Sequence, residues 1–338
     1  MLIVALQILL RRLIAAIPIV LVVSLVVFVI FRVLQVDPIG AMLPPNSTEE
    51  DRALLRATFG FDKPIWQQYL IWIGNFFTGN LGLSLHFRQS VALLIGNTLP
   101  ATLELVLLGM LAGVALGTTG GLLLYGMRRT PLGPILEFGT SLLMAVPEFL
   151  WAILLIIFFG VLVPLFPFIG RIDPALAVPV QTGFLLVDTL LAWRWDSFFN
   201  ALYHMILPAT TIAFALAPLL MRVLRSSLTE VMHESYVTVA RLRGLNERRI
   251  LVRHALKNAS LPTVSLIGVQ VGFVFGGTLL VEVIFSYPGL GNLMVDAVRN
   301  TDLPIIQAAS IIYCVVVLGA NLVVDVAYVA LNPKIRVR

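Results

Sequence analysis

The stretch LIAAIPIVLVVSLVVFVIF, residues 13–31, decides the fold class, because it runs without a single ionisable side chain. As a helix rising about 1.5 Å per residue, it matches the roughly 30 Å hydrocarbon core of a bilayer. Arg11 and Arg12 precede it, as in a signal peptide. The run is longer than a signal peptide's apolar region of about 7–15 residues, however, and no small-residue cleavage site follows, so it reads as a retained first span.

Five further stretches are long and apolar enough to cross: Leu99–Tyr125, Ile135–Val163, Tyr203–Val223, Leu261–Ile284 and Pro304–Leu331. Glycines and prolines inside them are tolerated where neighbouring helices satisfy the freed backbone groups. The composition agrees with an all-α polytopic membrane protein of about six spans. Of the 338 residues, 59% are hydrophobic and 12% charged, against roughly 25% charged in a soluble domain. The net charge of +5 and pI near 9.7 do not make it a nucleic-acid binder, since the basic residues flank apolar spans instead of clustering on a polar face.

Other chemistries find little support. The one cysteine, Cys314, lies in an apolar run and cannot form a disulfide within the chain. His86, His204, His233 and His254 share no spacing, so no metal site is expected. No Gly-x-x-x-x-Gly-Lys-Ser/Thr loop occurs, so the chain is not expected to hydrolyse ATP. No catalytic set is evident, and the chain is not read as an enzyme.

Basic residues set the expected orientation. With the N-terminus inside, about fifteen of the 23 Lys and Arg lie on the cytoplasmic side, which places both termini there. Outside lies the segment 32–98, with its acidic run Glu49, Glu50, Asp51 and the aromatics Trp66, Tyr69, Trp72 and Phe76. The second outer loop, Pro164–Leu202, has Trp193 and Trp195 flanking Arg194. Such rings anchor at the headgroup layer or offer a surface to an external partner.

Acids in or beside spans are costly and invite a functional reading. They are Glu104, Glu137, Glu148 and Asp325. Glu148 follows Pro147, which can kink its helix, and with Glu282 it is a candidate for the translocation path or gate. A hydrogen bond to a neighbouring helix, or loop packing, is the competing role. Gly109, Gly113 and Gly117, and again Gly272 and Gly276, form small-residue stripes suited to close helix packing.

Arg225–Ala259 is the most charged part of the chain. Tyr236, Ala240 and Arg243 recur at helical spacing and Gly244 is a natural helix stop. Asn246 can cap a second helix, with Glu247 in its first turn. The loop thus reads as helix, glycine hinge, helix outside the membrane. A DNA-reading helix-turn-helix is disfavoured because both ends are tied to spans. A lipid-binding basic patch does not ask for Ala240 and Gly244, whereas a protein socket does.

Tyr236-Val237-Thr238-Val239-Ala240-Arg241-Leu242-Arg243-Gly244-Leu245, with Arg253-His254-Ala255-Leu256-Lys257-Asn258-Ala259 and Leu261-Pro262, resembles the coupling loop, or EAA motif, of ABC importer permeases. The form is closest to the oligopeptide, dipeptide and nickel permeases, with Thr238 and Val239 where the general motif has glutamate and alanine. Asp37-Pro38, Phe59-Gly60-Phe61-Asp62-Lys63-Pro64, Gly79-Asn80-Leu81-Gly82-Leu83-Ser84, Thr98-Leu99-Pro100-Ala101-Thr102-Leu103-Glu104-Leu105, Glu282-Val283-Ile284-Phe285-Ser286-Tyr287-Pro288-Gly289 and Asp302-Leu303-Pro304 extend the likeness along nearly the whole chain.

The resemblance implies a type I importer permease in the bacterial inner membrane, moving di- or oligopeptides, with nickel or glutathione as alternative cargo. It implies a second permease subunit, two ATPase subunits carrying ATP and magnesium, and a periplasmic solute-binding protein. Coupling to the ATPase would fall to Tyr236, Ala240, Arg241, Arg243, Gly244, Leu245 and Asn246. On that reading residues 1–31 are the N-terminal segment and first span, and 32–98 the periplasmic region. Residues 99–331 are the permease core with its coupling loop at about 225–260, and 332–338 a cytoplasmic tail. An ion-coupled secondary transporter is the rival class, but it would ordinarily show intramembrane charge pairs or repeated halves.

Overall fold

The computed structural model describes residues 2–33, 48, 50 and 62–331. Asp37-Pro38, the acidic residues Glu49 and Asp51, Phe59-Gly60-Phe61 and the tail 332–338 lie outside the described residues. The regular structure is helical: α1 (Leu2–Val33), α2 (Ile65–Phe77), α3 (Val91–Met127), α4 (Leu132–Ala145), α5 (Glu148–Leu155), α6 (Leu185–Leu191), α7 (Trp195–Val231), α8 (Ser235–Leu242), α9 (Glu247–Ile250), α10 (Leu256–Ile284), α11 (Leu290–Arg299) and α12 (Leu303–Leu331).

The tightest pair is α3 with α7. Gly109, Gly113, Gly117 and Gly121 of α3 face Ile212, Leu216, Leu220 and Leu224 of α7, in a register that advances four residues at a time on both helices. The two helices therefore run parallel, and the glycine stripe lets their backbones approach. Gly268 and Gly272 of α10 face Val324 and Val317 of α12, so that pair is antiparallel. Gly276 meets nothing within 4 Å, so the second stripe is only partly used inside the chain.

Two expectations change. The third stretch is not one straight helix: α4 and α5 meet at a bend of 103°. Pro147 supplies no N–H, and Val146 before it is extended at φ −91° and ψ 123°, as a residue preceding proline prefers. After α5 the helix widens into a π-helical turn, Ile156–Leu162. Contacts along α7 show that the broken helix still crosses the bundle. Glu137 pairs with Arg225, Thr140 meets Met221, Trp151 packs on Phe214, and Phe166 just beyond packs on Tyr203. From Tyr203 to Arg225, α7 covers about 33 Å, a full bilayer core. Five continuous helices are long and apolar enough to cross, and with this broken one counted as a span they make six.

The second helix of the charged loop is also not separate. α9 passes through a π turn, Leu251–Ala255, directly into α10. Pro262 sits inside that helix, where the loss of one N–H does not end it.

Six crossings return the chain to its starting end. Arg12 of α1 pairs with Asp325 of α12 at 2.8 Å, so the start of the first span and the end of the last are neighbours. The same end of the bundle carries Arg128, Arg225, α8 and α9, and is called the basic end below. At the opposite end α2 lies on α1, with Phe28 stacked on Trp72 and Ser24 hydrogen-bonded to Tyr69 at 2.8 Å.

Candidate functional site

At the basic end α8 rests on a small core of Tyr125, Leu224, Leu228, Met232, Val237, Ala240, Ile250, Ala255 and Ala259. Val237 is fully buried, while Leu242 on the other side of the same short helix is 82% exposed. Val239 and Tyr236 are also exposed. Ala240 therefore faces inward and seats α8, and the outward face consists of Tyr236, Val239, Leu242 and Arg243. Gly244 ends the helix at φ +80°, a conformation that a Cβ makes costly. Asn246 caps α9 by accepting the Arg249 N–H at 2.8 Å. Arg241 donates to Glu247 at 2.6 Å, bracing α8 against α9 across the glycine. Asn258 donates to the Tyr236 hydroxyl at 3.0 Å. The result is a rigid apolar-tipped projection fixed to the ends of α7 and α10.

The four acids in or beside spans separate cleanly. Glu104 pairs with Arg171 and accepts the Leu186 N–H at 2.7 Å. Glu137 pairs with Arg225, and Asp325 with Arg12. Glu148 has no such partner among the described residues, and its Oε1 is buried without a hydrogen bond. Its carboxylate lies against Gly277 of α10, where a side chain would collide with it. It opens into a cavity of about 290 Å³ lined also by Ala215, Leu216, Gln270, Phe273 and Val274.

The opposite end is closed by buried polar links. Glu282, fully buried, accepts from the Thr102 hydroxyl at 2.5 Å and from the Asn292 N–H at 3.0 Å. Thr102 in turn accepts the Leu290 N–H at 2.8 Å. A carboxylate at the N-terminus of α11 meets unpaired N–H groups and the positive end of the helix dipole. Gly289 and Gly291 leave the room it needs. The carboxylate that the sequence suggested for a path or gate is thus turned into the chain, holding α11 over the ends of α3 and α10. Asp302 ties the segment before α3 to the start of α12, accepting from Ser84 Oγ at 2.5 Å and from the His86 N–H at 3.0 Å.

The segment before α7 folds around Asp188. Burial works to raise its carboxyl, but the Thr182 hydroxyl and the N–H groups of Thr182, Gln181 and Gly183 hold it below the ordinary range. The roles of Thr102, Arg171, Asp188 and Asp302 were not readable from the sequence. Thr102 and Asp302 stood inside quoted motifs, whereas Arg171 and Asp188 carried no signal beyond being charged residues in an apolar chain.

Long apolar helices, a parallel glycine-packed pair and a braced exposed helix at the basic end agree with the resemblance to ABC importer permeases, and the family comparison establishes that class. The chain belongs to the family described as binding-protein-dependent transport system inner membrane component, whose model matches residues 106–337, and the N-terminal model of the same systems matches residues 5–106. It is therefore an inner-membrane component of such a system.

Among relatives, the di/tripeptide transport system permease protein DppB of Pseudomonas aeruginosa is 36% identical over 333 residues, covering 96% of this chain and 97% of the relative. The dipeptide permease DppB of Escherichia coli is 36% identical over 336 residues, covering 98% and 99%. The glutathione permease GsiC of Escherichia coli is 33% identical over 327 residues, covering 96% and 97%. Among solved structures, an inward-facing MetNI methionine ABC transporter aligns with a TM-score of 0.54 at 14% identity, covering 71% of this chain and 96% of that one. The likeness in structure establishes the shared fold.

Proposed function

We propose that this chain is one permease half of an ATP-driven importer of di- or oligopeptides, with its basic end and both termini in the cytoplasm. The observation that carries the reading is α8: an apolar tip with Leu242 82% exposed, held rigidly to α7 and α10, suits a socket on another protein and would pass movement to both spans. That socket belongs to an ATPase subunit, one of two that bind ATP and magnesium. The permease contributes the levers and no hydrolysis. A second, similar permease covers the outward face of α10, where Val269, Phe273 and Leu280 are exposed beside the open Gly276. A periplasmic binding protein delivers peptide to the opposite end.

The peptide assignment follows the DppB relatives, and glutathione remains a second cargo on the strength of the GsiC likeness. The test is co-expression with candidate permease and ATPase subunits, purification, and uptake into vesicles. The expected result is co-purified ATPase subunits and ATP-dependent uptake of dipeptide when its binding protein is present. A chain that purifies without an ATPase and transports on an ion gradient would overturn the reading in favour of a secondary carrier, while uptake of nickel or glutathione alone would change only the cargo.

A further inference from the structure

Of the five acids in or beside spans, three are paired with an arginine and Glu282 accepts hydrogen bonds from Thr102 and Asn292, whereas Glu148 has neither kind of partner among the described residues. A carboxylate left without an ion-pair partner at mid-membrane depth is costly unless a proton, water or a cationic ligand completes it. Its depth is fixed by its neighbours Ala215 and Leu216, close to the middle of the stretch of α7 that spans the bundle.

A second, polar groove lies further along α7. On α7, Ala215 shares a helix face with residues seven and eleven positions on, and that face continues as Arg222, Arg225, Ser226, Thr229 and His233, which line an open groove with Glu230 toward the basic end. The remaining walls at Glu148 are apolar apart from Gln270. A single carboxyl acceptor in an otherwise apolar, open pocket favours a compact cation with an attached apolar body.

From these observations we infer that Glu148 is the acceptor for the protonated α-amino group of the peptide in transit, with Gln270 as a second polar contact, Val274 against the side chains, and Phe273 at the rim where the pocket meets the face proposed above for the second permease. The break at Pro147 has a use in this arrangement, since it starts α5 at Glu148 and turns the carboxylate toward Gly277. The inference rests on the peptide reading above and deepens it.

The test uses the whole complex in vesicles, with the binding protein saturated in turn by alanyl-alanine and by N-acetyl-alanyl-alanine, so that its own preference drops out. Wild type is expected to carry the free amine faster by about tenfold or more, the usual worth of a hydrogen bond to a charged group. Glu148→Gln should bring the two rates to within about twofold of each other, whereas Glu148→Asp should keep the preference. If Glu148→Gln fails to assemble, Ala215→Arg, which puts a cation into the same cavity from α7, should abolish the preference. An unchanged preference in the assembled variant, or none in wild type, overturns the inference while leaving the peptide reading intact. Uptake of neither peptide by wild type overturns both.

Discussion

Gly117 of α3 faces Leu220 of α7 so closely that a β-carbon on the glycine would stand 2.6 Å from the leucine Cβ. At Gly109 the corresponding distance to the Ile212 Cβ is 2.7 Å. Both neighbours lie in the buried interior and cannot swing away, so added volume must part the helices.

Substituting Gly117→Val is therefore expected to destabilise the chain by about 1–3 kcal/mol or more, the cost of overpacking a tight core. Gly276→Ala is the matched control, because nothing lies within 4 Å of that position. Thermal melting of the detergent-solubilised protein should fall several degrees for the first and stay level for the second. Equal melting temperatures would mean that α3 and α7 are not in close parallel contact.

The segment between Asp173 and Leu191 has its own pH dependence. Asp188 is buried and its carboxyl lies below the ordinary range, because the Thr182 hydroxyl and three backbone N–H groups, outweighing burial, favour the charged form. A group whose folded pKa is depressed adds stability above its unfolded value of about 3.9 and loses it as pH falls through the folded value. Limited proteolysis between Asp173 and Leu191 should accordingly be slow at neutral pH and faster well below pH 4. Asp188→Asn should make the loop labile at neutral pH and flatten the profile. A loop equally resistant in the variant would show that these hydrogen bonds do not hold it.

The features that were legible in the sequence are those written in composition. Apolar runs placed all six crossings, since lipid excludes charge whatever the packing. The helices run past the apolar stretches: α7 begins at Trp195 and ends at Val231, beyond the apolar Tyr203–Val223, because backbone hydrogen bonding continues past the hydrocarbon. Gly244 and Asn246 were readable because a left-handed stop and an N-cap are local chemistry.

What stayed hidden depends on contacts distant in sequence. Nothing near Glu104 announces Arg171, and nothing near Glu282 announces Thr102, since those pairs form only when α3, α10 and the outer loop are assembled. The 103° bend was signalled by Pro147, yet proline alone does not set its size. Inside α10, Pro262 leaves the helix continuous. The difference lies in what surrounds each proline, here the extended Val146 at one and an unbroken helix through Leu256–Ile284 at the other.

The projection formed by α8 can be tested at two neighbouring positions that should fail differently. Leu242 is 82% exposed, so Leu242→Asp removes little packing within the chain and should leave melting within about 0.5 kcal/mol of wild type, as for an ordinary surface change. If that tip seats in an ATPase groove, a carboxylate placed there is desolvated, and ATPase capture should drop by about tenfold or more. Gly244→Leu acts on geometry instead. At φ +80° a Cβ costs roughly 1–2 kcal/mol, and relief of that strain would rotate α8 relative to α9 and strain the Arg241–Glu247 brace. The expected variant is inserted in the membrane and still binds ATPase subunits in a pull-down, but its ATP hydrolysis no longer drives uptake. Loss of binding in one variant and loss of coupling in the other would separate the contact from the hinge. Wild-type uptake in both would remove α8 from the mechanism.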